Sequence, residues 1–590
     1  MLFIMRKLSF FILFLSIVCS SCKNTGDHTA STSKNSAKGG KFYGGTLRIS
    51  KNDIYQTLYP YRIVDAVSGS LAYQIYEGLV KFNSKDLSIR PALAEKWEVD
   101  SSGTHYTFHL RKGVLFQDNE CFPGGKGREV KAEDFRYSFE MLCTDNADNF
   151  NFVATFKDRV LGANSFFEES KNPKAGAHVE GIKVIDEYTL RIDLVAPSSS
   201  FLYVLAAPSA SVVAKEAIDK YGVQLKTGTG PFMFDEAHSS ASFAILRKNP
   251  TYYGTDSFGN SLPFLDSIIV NFIPTKKAEL EEFNKGKLDM VLGLPSESIR
   301  SLVEKQIADF QNKPAKYILD RTPEMVSQFY EFNLTKPPFN NVKVRKAFSY
   351  AINRNKIIDD VLKGEAYGPG INGITPPSFK GYDISKIKGY DFNKELARKL
   401  LAEAGYPDGK GFPNVKIELS SGGAKNSNVV VEIQKQLLDV LKINVDFEIV
   451  SFSQKHEDAK MAKAEMFHSG WVADYPSPEN FLWVLYGANV PNDINKPSFP
   501  NSPRYKNSDY DKWFLAGRSA KNQAESYDDF LKAEQQLMDD APILVLWYDQ
   551  NYRLINSKVK NFFSNPMRYN DFSEVYIKDT PSPLAESTKK

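Results

Sequence analysis

Apolar residues recur along this chain with two periods. Tyr106, Phe108 and Leu110 alternate with His105, Thr107 and His109, the two-residue period of a strand with one buried face. Thr46–Ser50 alternates in the same way. Within Val130–Leu142, by contrast, Phe135, Phe139 and Leu142 stand three and four apart, which predicts an amphipathic helix. Val415–Leu419 alternates and a Gly422-Gly423 turn follows; Val430, Ile433, Leu437, Leu438 and Leu441 then recur at helical spacing before Ile443, Val445, Phe447 and Ile449 alternate again. That order predicts a strand, helix and strand with a right-handed crossover between parallel strands. A helix is also predicted over 391–404, capped by Asp391 or Asn393 and stopped at Gly405, and another from Asn340-Asn341 to about Asn353. No repeat of fixed period is present.

The N-terminus has a different pattern. Arg6 and Lys7 precede an apolar run from Leu8 to Cys19, followed by Ser20, Ser21 and Cys22. A charged start, a short apolar run and small residues are the pattern of a bacterial export signal. The run falls short of the roughly 20 apolar residues that span a bilayer, and no later segment is apolar enough to do so. Ser20-Ser21-Cys22 resembles the lipobox of bacterial lipoproteins, with Cys19 where that motif usually has leucine, and implies lipidation of Cys22; the alternative is an ordinary secretory cut. The CxxC from Cys19 to Cys22 lies inside the apolar signal, so it is not read as a redox motif. Lys23–Lys41 is mostly Ser, Thr, Asn, Lys and Gly, too polar to pack, and is expected to be a flexible tether reaching roughly 25 Å.

Composition narrows the body that follows. At about 550 residues it exceeds a single core and should divide into two or three domains. The 74 basic and 71 acidic residues give a formal net charge of +3, too small a field to suggest a nucleic-acid partner. Cys121 and Cys143 are the only cysteines left beyond the signal; an oxidising compartment would allow them to form a disulfide. His105 and His109 have a metal-like spacing on a helix, but on a strand they form a polar face, and no metal or cofactor is expected.

Prolines at Pro337-Pro338, Pro376-Pro377 and Pro497–Pro503 punctuate the chain, and 489–507 is expected to be a long surface loop bordering a cleft. The chain has no GxSxG elbow, HExxH pair or GK[ST] phosphate loop. Gly124-Gly125-Lys126-Gly127 has Arg128 where a phosphate loop needs Ser or Thr. The Thr227–Pro231 run, TGTGP, lacks the third glycine of a dinucleotide fingerprint; both runs are read as turns. Binding is therefore favoured over catalysis, and the chain is expected not to be an enzyme.

One carboxylate stands out. In Gly470–Leu482, GWVADYPSPENFL, Asp474 sits among Trp471, Tyr475, Phe481 and two prolines, a setting suited to gripping a cationic group.

The chain resembles the substrate-binding proteins of ABC importers, in the oligopeptide- and dipeptide-binding group (bacterial extracellular solute-binding protein family 5). The resemblance runs from about Gly45 to Ile577. It is densest in YEGLV at Tyr76–Val80, PALAEKWEVDSSGTHYTFHLRKGVLFQD at Pro91–Asp118 and VKAEDFRYSFE at Val130–Glu140. Further matches are TGPF at Thr229–Phe232, NPTYYG at Asn249–Gly254, PFLDSI at Pro263–Ile268, NLTKPPFNNVKVRKAFSYAINR at Asn333–Arg354, LLAEAGYP at Leu400–Pro407 and WVADYP.

This resemblance implies an α/β, two-lobed periplasmic-binding-protein (Venus-flytrap) fold with mixed sheets and an extra inserted domain. Residues 1–22 would be the signal and 23–44 the tether. Residues 45–76, 206–321 and 546–590 would form lobe I, 77–205 the inserted domain and 322–545 lobe II, with crossings near Arg321 and at 540–545. The resemblance also implies a peptide lying extended between the lobes. It would pair with Val64-Asp65-Ala66 on one side and Trp471-Val472-Ala473 on the other, its amino terminus on Asp474, with Trp471 and Tyr475 as walls. The expected protein is a monomeric, lipid-anchored receptor, periplasmic or at the cell surface, that passes short peptides to an ABC permease. The alternatives are the same fold holding a sugar, metal chelate or haem, or a cleft enzyme or folding helper.

Overall fold

The computed structural model describes residues 36–578 except 172–175, 296–297, 300, 303, 306–315, 421–423 and 568. The expected signal, the Cys22 lipidation site and most of the expected tether lie outside the described residues.

Three larger sheets organise the described chain. In the first, Phe232–Phe234, Phe243–Lys248 and Ser267–Phe272 are antiparallel neighbours, and Thr46–Lys51 joins Ser267–Phe272 in parallel. The second is antiparallel, in the order Ala94–Val99, His105–Leu110, Thr189–Asp193 and Ile182–Asp186. In it Tyr106, Phe108 and Leu110 are buried while His105, Thr107 and His109 are not, the alternation read from the sequence.

The third sheet has seven strands in a mixed arrangement, built around two long antiparallel partners, Tyr317–Phe332 and Ile543–Asn556. One end of this pair meets the short strand Met290–Val291, next to Asp289, whose carboxylate accepts the Arg48 backbone N–H of the first sheet at 2.8 Å. The register breaks between Pro323 and Ser327. Beyond the break, Tyr317–Phe332 continues into pairing with Met466–Val472, which leads to Val415–Ser420 and Val445–Val450. Two long strands thus carry the chain from the first sheet to the far side of the third.

Val415–Ser420 and Val445–Val450 are parallel neighbours joined through the helix Ala424–Leu441, the predicted unit. Val430, Ile433, Leu437 and Leu441 of that helix are buried with Val415, Ile417, Leu419 and Val445. Leu438 departs from the predicted stripe at 46% exposure. Asn341 and Asn393 cap their helices, accepting from the backbone N–H of Lys343 and Leu396 at 2.9 Å each.

Three expectations are corrected. The tether does not extend to residue 44: the Lys38 N–H donates to Asn260 Oδ1 at 2.9 Å and Lys41 Nζ pairs with Asp256 at 2.8 Å, a turn made possible by positive φ at Gly39 and Gly40. Cys121 and Cys143 are not bonded to each other; both are free, Cys143 buried and Cys121 partly so. The 489–507 segment is less superficial than its composition suggests, because Asn501 Nδ2 donates to the Tyr486 and Tyr505 carbonyls and anchors it. Among the described residues no helix is long and apolar enough to cross a membrane.

Candidate ligand-binding site

Met466–Val472 is paired along its whole length with Val326–Phe332, but its other side meets Val415–Ser420 only at Met466 and Phe467. Residues 469–472 therefore present a strand edge to which the described residues add no strand. Such an edge is a template for another extended chain. Backbone pairing with residues 325–327 holds the segment: Trp471 is opposite Ser327, Val472 opposite Val326, and the Ala473 N–H donates to the Met325 carbonyl at 2.9 Å.

The open edge leads to Asp474. Ser477 accepts the N–H of Glu479 at 3.3 Å and Pro478 opens the short helix Pro478–Leu482, which turns Asn480 back toward the strand. Asn480 Oδ1 accepts the Trp471 indole N–H at 2.8 Å and the Asp474 backbone N–H at 3.0 Å, while its Nδ2 donates to Asp474 Oδ2 at 3.1 Å. Asp474 is exposed, between the buried residues Ala473 and Tyr475. Desolvation there pushes its pKa up to about 6, against the opposing hydrogen bond from Asn480. Trp471 packs edge-on to Trp483 at 6.1 Å.

Tyr569 packs on the helix Ala66–Ile75. Met325 N–H donates to the Pro566 carbonyl at 3.0 Å, and Gln74 holds the Asn570 carbonyl at 2.7 Å and the Phe572 N–H at 3.2 Å. The C-terminal segment is thus fastened both to the long strand and to the helix Ala66–Ile75. Tyr569 stacks on Tyr73 with centroids 5.6 Å apart. Burial raises the pKa of its phenol, and the charges of Asp474 and Asp65 raise it further.

The predicted residues divide. Trp471, Val472, Ala473 and Asp474 follow one another along the strand end and the turn after it, while Val64 and Asp65 lead into the helix Ala66–Ile75; Val64 is 73% exposed and Val472 38%. Asp65 is foremost a helix cap, its Oδ1 accepting the Ser68 N–H at 2.8 Å, and Ala66 is the first residue of that helix. Tyr475 is corrected: it is buried and faces away from the edge, its hydroxyl accepting from Arg159 Nη2 at 3.1 Å. Pro476 follows it directly, and the turn into Pro478–Leu482 directs the phenol inward. Asn480 and Tyr569 were not among the predicted residues. Ser477-Pro478 was a legible helix start that could have revealed Asn480; nothing local marks Tyr569.

An open strand edge ending at a carboxylate is the kind of feature on which an extended ligand can pair. Residues 88–493 match the model of the bacterial extracellular solute-binding proteins, family 5, and the chain belongs to that family. It is similar to the Heme-binding protein A of Haemophilus influenzae, 25% identical over 95% of this chain and 97% of that protein. The Dipeptide-binding protein of Escherichia coli is 26% identical over 85% of this chain and 89% of its own length. Among solved structures, the periplasmic binding protein DppA of Helicobacter pylori in complex with the peptide STSA covers 91% of this chain and 99% of its own. It has 26% identity and a TM-score of 0.75. The fold is the two-lobed α/β periplasmic-binding-protein type expected from the sequence.

Proposed function

We propose that this protein captures short peptides in the cleft and delivers them to an ABC permease. The observation that carries this reading is the unpaired edge at 469–472 running into Asp474. A peptide backbone pairing with that edge would gain affinity without its side chains being read, and its amino terminus would meet the carboxylate. Burying an ammonium is prohibitive without a charged, hydrogen-bonded partner, and Asn480 holds such a partner in place. The relatives named as dipeptide-binding and peptide-complexed proteins support the same ligand class.

In this reading 45–76, 206–321 and 546–590 form lobe I, 77–205 the inserted domain and 322–545 lobe II. Lipidated Cys22 anchors a monomeric receptor outside the cytoplasmic membrane. A second reading, a non-peptide solute such as haem, is favoured by the similarity to the Heme-binding protein A along nearly the whole chain. Native mass spectrometry of ligand retained through purification separates the two. Peptide masses are expected, and recovery of only a non-peptide solute overturns the first reading.

A further inference from the structure

The buried ion pair Arg159–Glu479 lies outside the ligand edge and has no part in the reading above. Arg159 belongs to the second sheet's body: neighbouring Val160 bridges Leu194, and the Leu161 N–H donates to the Asp193 carbonyl at 2.9 Å. Glu479 lies in the turn that follows Met466–Val472 of the third sheet. Their contact, Nη2 to Oε1 at 2.6 Å, has side-chain exposures of only 4% and 0%. Arg159 also donates through Nη1 to the carbonyls of Ala154 and Thr155, at 2.9 and 2.8 Å, so its head group is fixed within its own unit. The other oxygen of Glu479 accepts from the hydroxyl of Ser200. Burial works against the Arg159 charge, but the Glu479 carboxylate and Tyr475 more than offset it and hold its pKa above the usual value.

Chain order gives this pair its significance. Glu479 is followed directly by Asn480, whose amide holds Asp474 and Trp471, and Tyr475, which directly follows Asp474, accepts on its hydroxyl oxygen from the same arginine. Arg159 therefore grips the Asp474 turn at both ends, on the residue after the carboxylate and on the residue before its clamp. Arg518 adds a second crossing, its Nε 3.6 Å from Glu479 and its Nη2 3.3 Å from the Asp158 carbonyl.

We propose that Arg159 is a positioning residue for Asp474. Docking of the second-sheet body on the 475–480 turn sets the carboxylate, so that this body takes part in ligand capture without touching the ligand. The part concerning capture rests on the peptide reading of the cleft; the positioning does not. A buried ion pair is well suited to this role, because losing one partner leaves an uncompensated charge whereas a solvated pair contributes little.

The test uses the full chain without ligand first. Hydrogen exchange followed by mass spectrometry is compared for wild type, Arg159→Met, Arg159→Lys and Glu479→Gln. In Arg159→Met the amides of 473–482 are expected to exchange about tenfold or more faster, with strands 94–110 unchanged and partial recovery in Arg159→Lys. Glu479→Gln, which keeps the side-chain shape, is expected to show the same local change and covers the case in which Arg159→Met folds poorly. Unchanged exchange over 473–482 in both variants overturns the proposal, as does a rise spread evenly over both sheets. Calorimetry with trialanine forms the second arm. If wild type binds and the variants are weakened on the order of tenfold, the link to capture holds; equal binding overturns that link. If wild type binds no peptide, the peptide reading fails while the exchange result still decides the positioning.

Discussion

Asn480 holds Asp474 from two sides, accepting its backbone N–H at 3.0 Å and donating to its Oδ2 at 3.1 Å. Among the described residues no protein donor reaches Asp474 Oδ1, which is the oxygen left for a ligand cation. Once a ligand covers the carboxylate, removing it strands a buried ammonium, which costs about 3–5 kcal/mol. Asp474→Ala is expected to weaken trialanine binding by several hundredfold or more. Asn480→Ala, which keeps the charge and loses its support, should cost about 1–3 kcal/mol. Isothermal calorimetry measures both, and equal affinity in wild type and Asp474→Ala would remove the carboxylate from the site.

Acid should release a cationic ligand. The Asp474 value of about 6 lies above the ordinary 3.8 because the charged form is desolvated. A ligand that needs the ionised carboxylate should therefore bind about tenfold more weakly at pH 5 than at pH 7, and Asp474→Asn should flatten that profile. The stability of the unliganded protein moves in the opposite sense. A raised acid takes up its proton earlier in the folded state, so its contribution falls as pH climbs from about 4 to about 6. Titrations of affinity and of thermal midpoint across this range read both slopes; a pH-independent affinity above pH 5 contradicts the assignment.

Gly69 makes room for Tyr569. A Cβ at this position would lie 2.9 Å from Tyr569 Cε1 and 3.3 Å from its hydroxyl oxygen, so Gly69→Ala must displace the ring. An overpacking cost of about 1–3 kcal/mol is expected, together with loss of peptide affinity. Tyr569→Phe keeps the stacking on Tyr73 and removes only the hydroxyl. If Gly69→Ala lowers affinity while Tyr569→Phe does not, the ring's position rather than its hydroxyl matters. Unchanged melting and binding in Gly69→Ala would show that the ring moves freely.

Much of the scaffold was legible because its signals are local. His105–Leu110 and the unit from Val415 to Val450 each announce their buried face within a few residues. Asp474 stands out in the sequence as an isolated acid among stiff residues. What stayed hidden depends on contacts between distant parts of the chain: Tyr569 comes to the helix Ala66–Ile75 with a C-terminal segment that Gln74 and Met325 fasten. Tyr475 was misread for the same reason, since a phenol beside a cleft carboxylate looks like a wall until Arg159 is seen on its far side. Leu438 fitted the helical period, yet the helix's buried arc stops short of it.

The two body cysteines should behave differently toward a thiol reagent. Cys143 is fully buried, and burial pushes its pKa up, suppressing the thiolate. Cys121 is partly exposed and its pKa is also raised, first by burial and then by Glu216. In the native protein iodoacetamide is expected to label Cys121 slowly and Cys143 not at all, and unfolding without reductant should expose both. Peptide mapping that finds Cys121 joined to Cys143 would contradict the free thiols.

Gln117 joins the segment that follows the second sheet's hairpin to the first sheet's neighbourhood, and its role explains the TGTGP run. Its Nε2 donates to the carbonyls of Phe232, Gly230 and Ile75 at 2.8, 3.1 and 3.3 Å, and its Oε1 accepts the Gly228 N–H at 3.1 Å. The glycines of the run are needed for this approach: a Cβ on Gly230 would lie 2.5 Å from the Gln74 carbonyl oxygen, and one on Gly228 2.5 Å from that of Ile75. Backbone cannot yield as a flexible side chain can, so Gly230→Ala must push the run away from the end of the helix Ala66–Ile75, whose Ile75 carbonyl Gln117 also holds. Gln117→Ala instead takes the side-chain partner from the buried Gly228 N–H, while the Gly230 and Ile75 carbonyls keep the Asn249 amide and the Gly230 N–H; a buried group left unsatisfied costs about 1–3 kcal/mol. Both variants are expected to lower the thermal midpoint, Gly230→Ala the more, and the double variant should add little, because either change breaks the same junction. Additive losses in a double-variant cycle would show that Gln117 and Gly230 stabilise the protein independently.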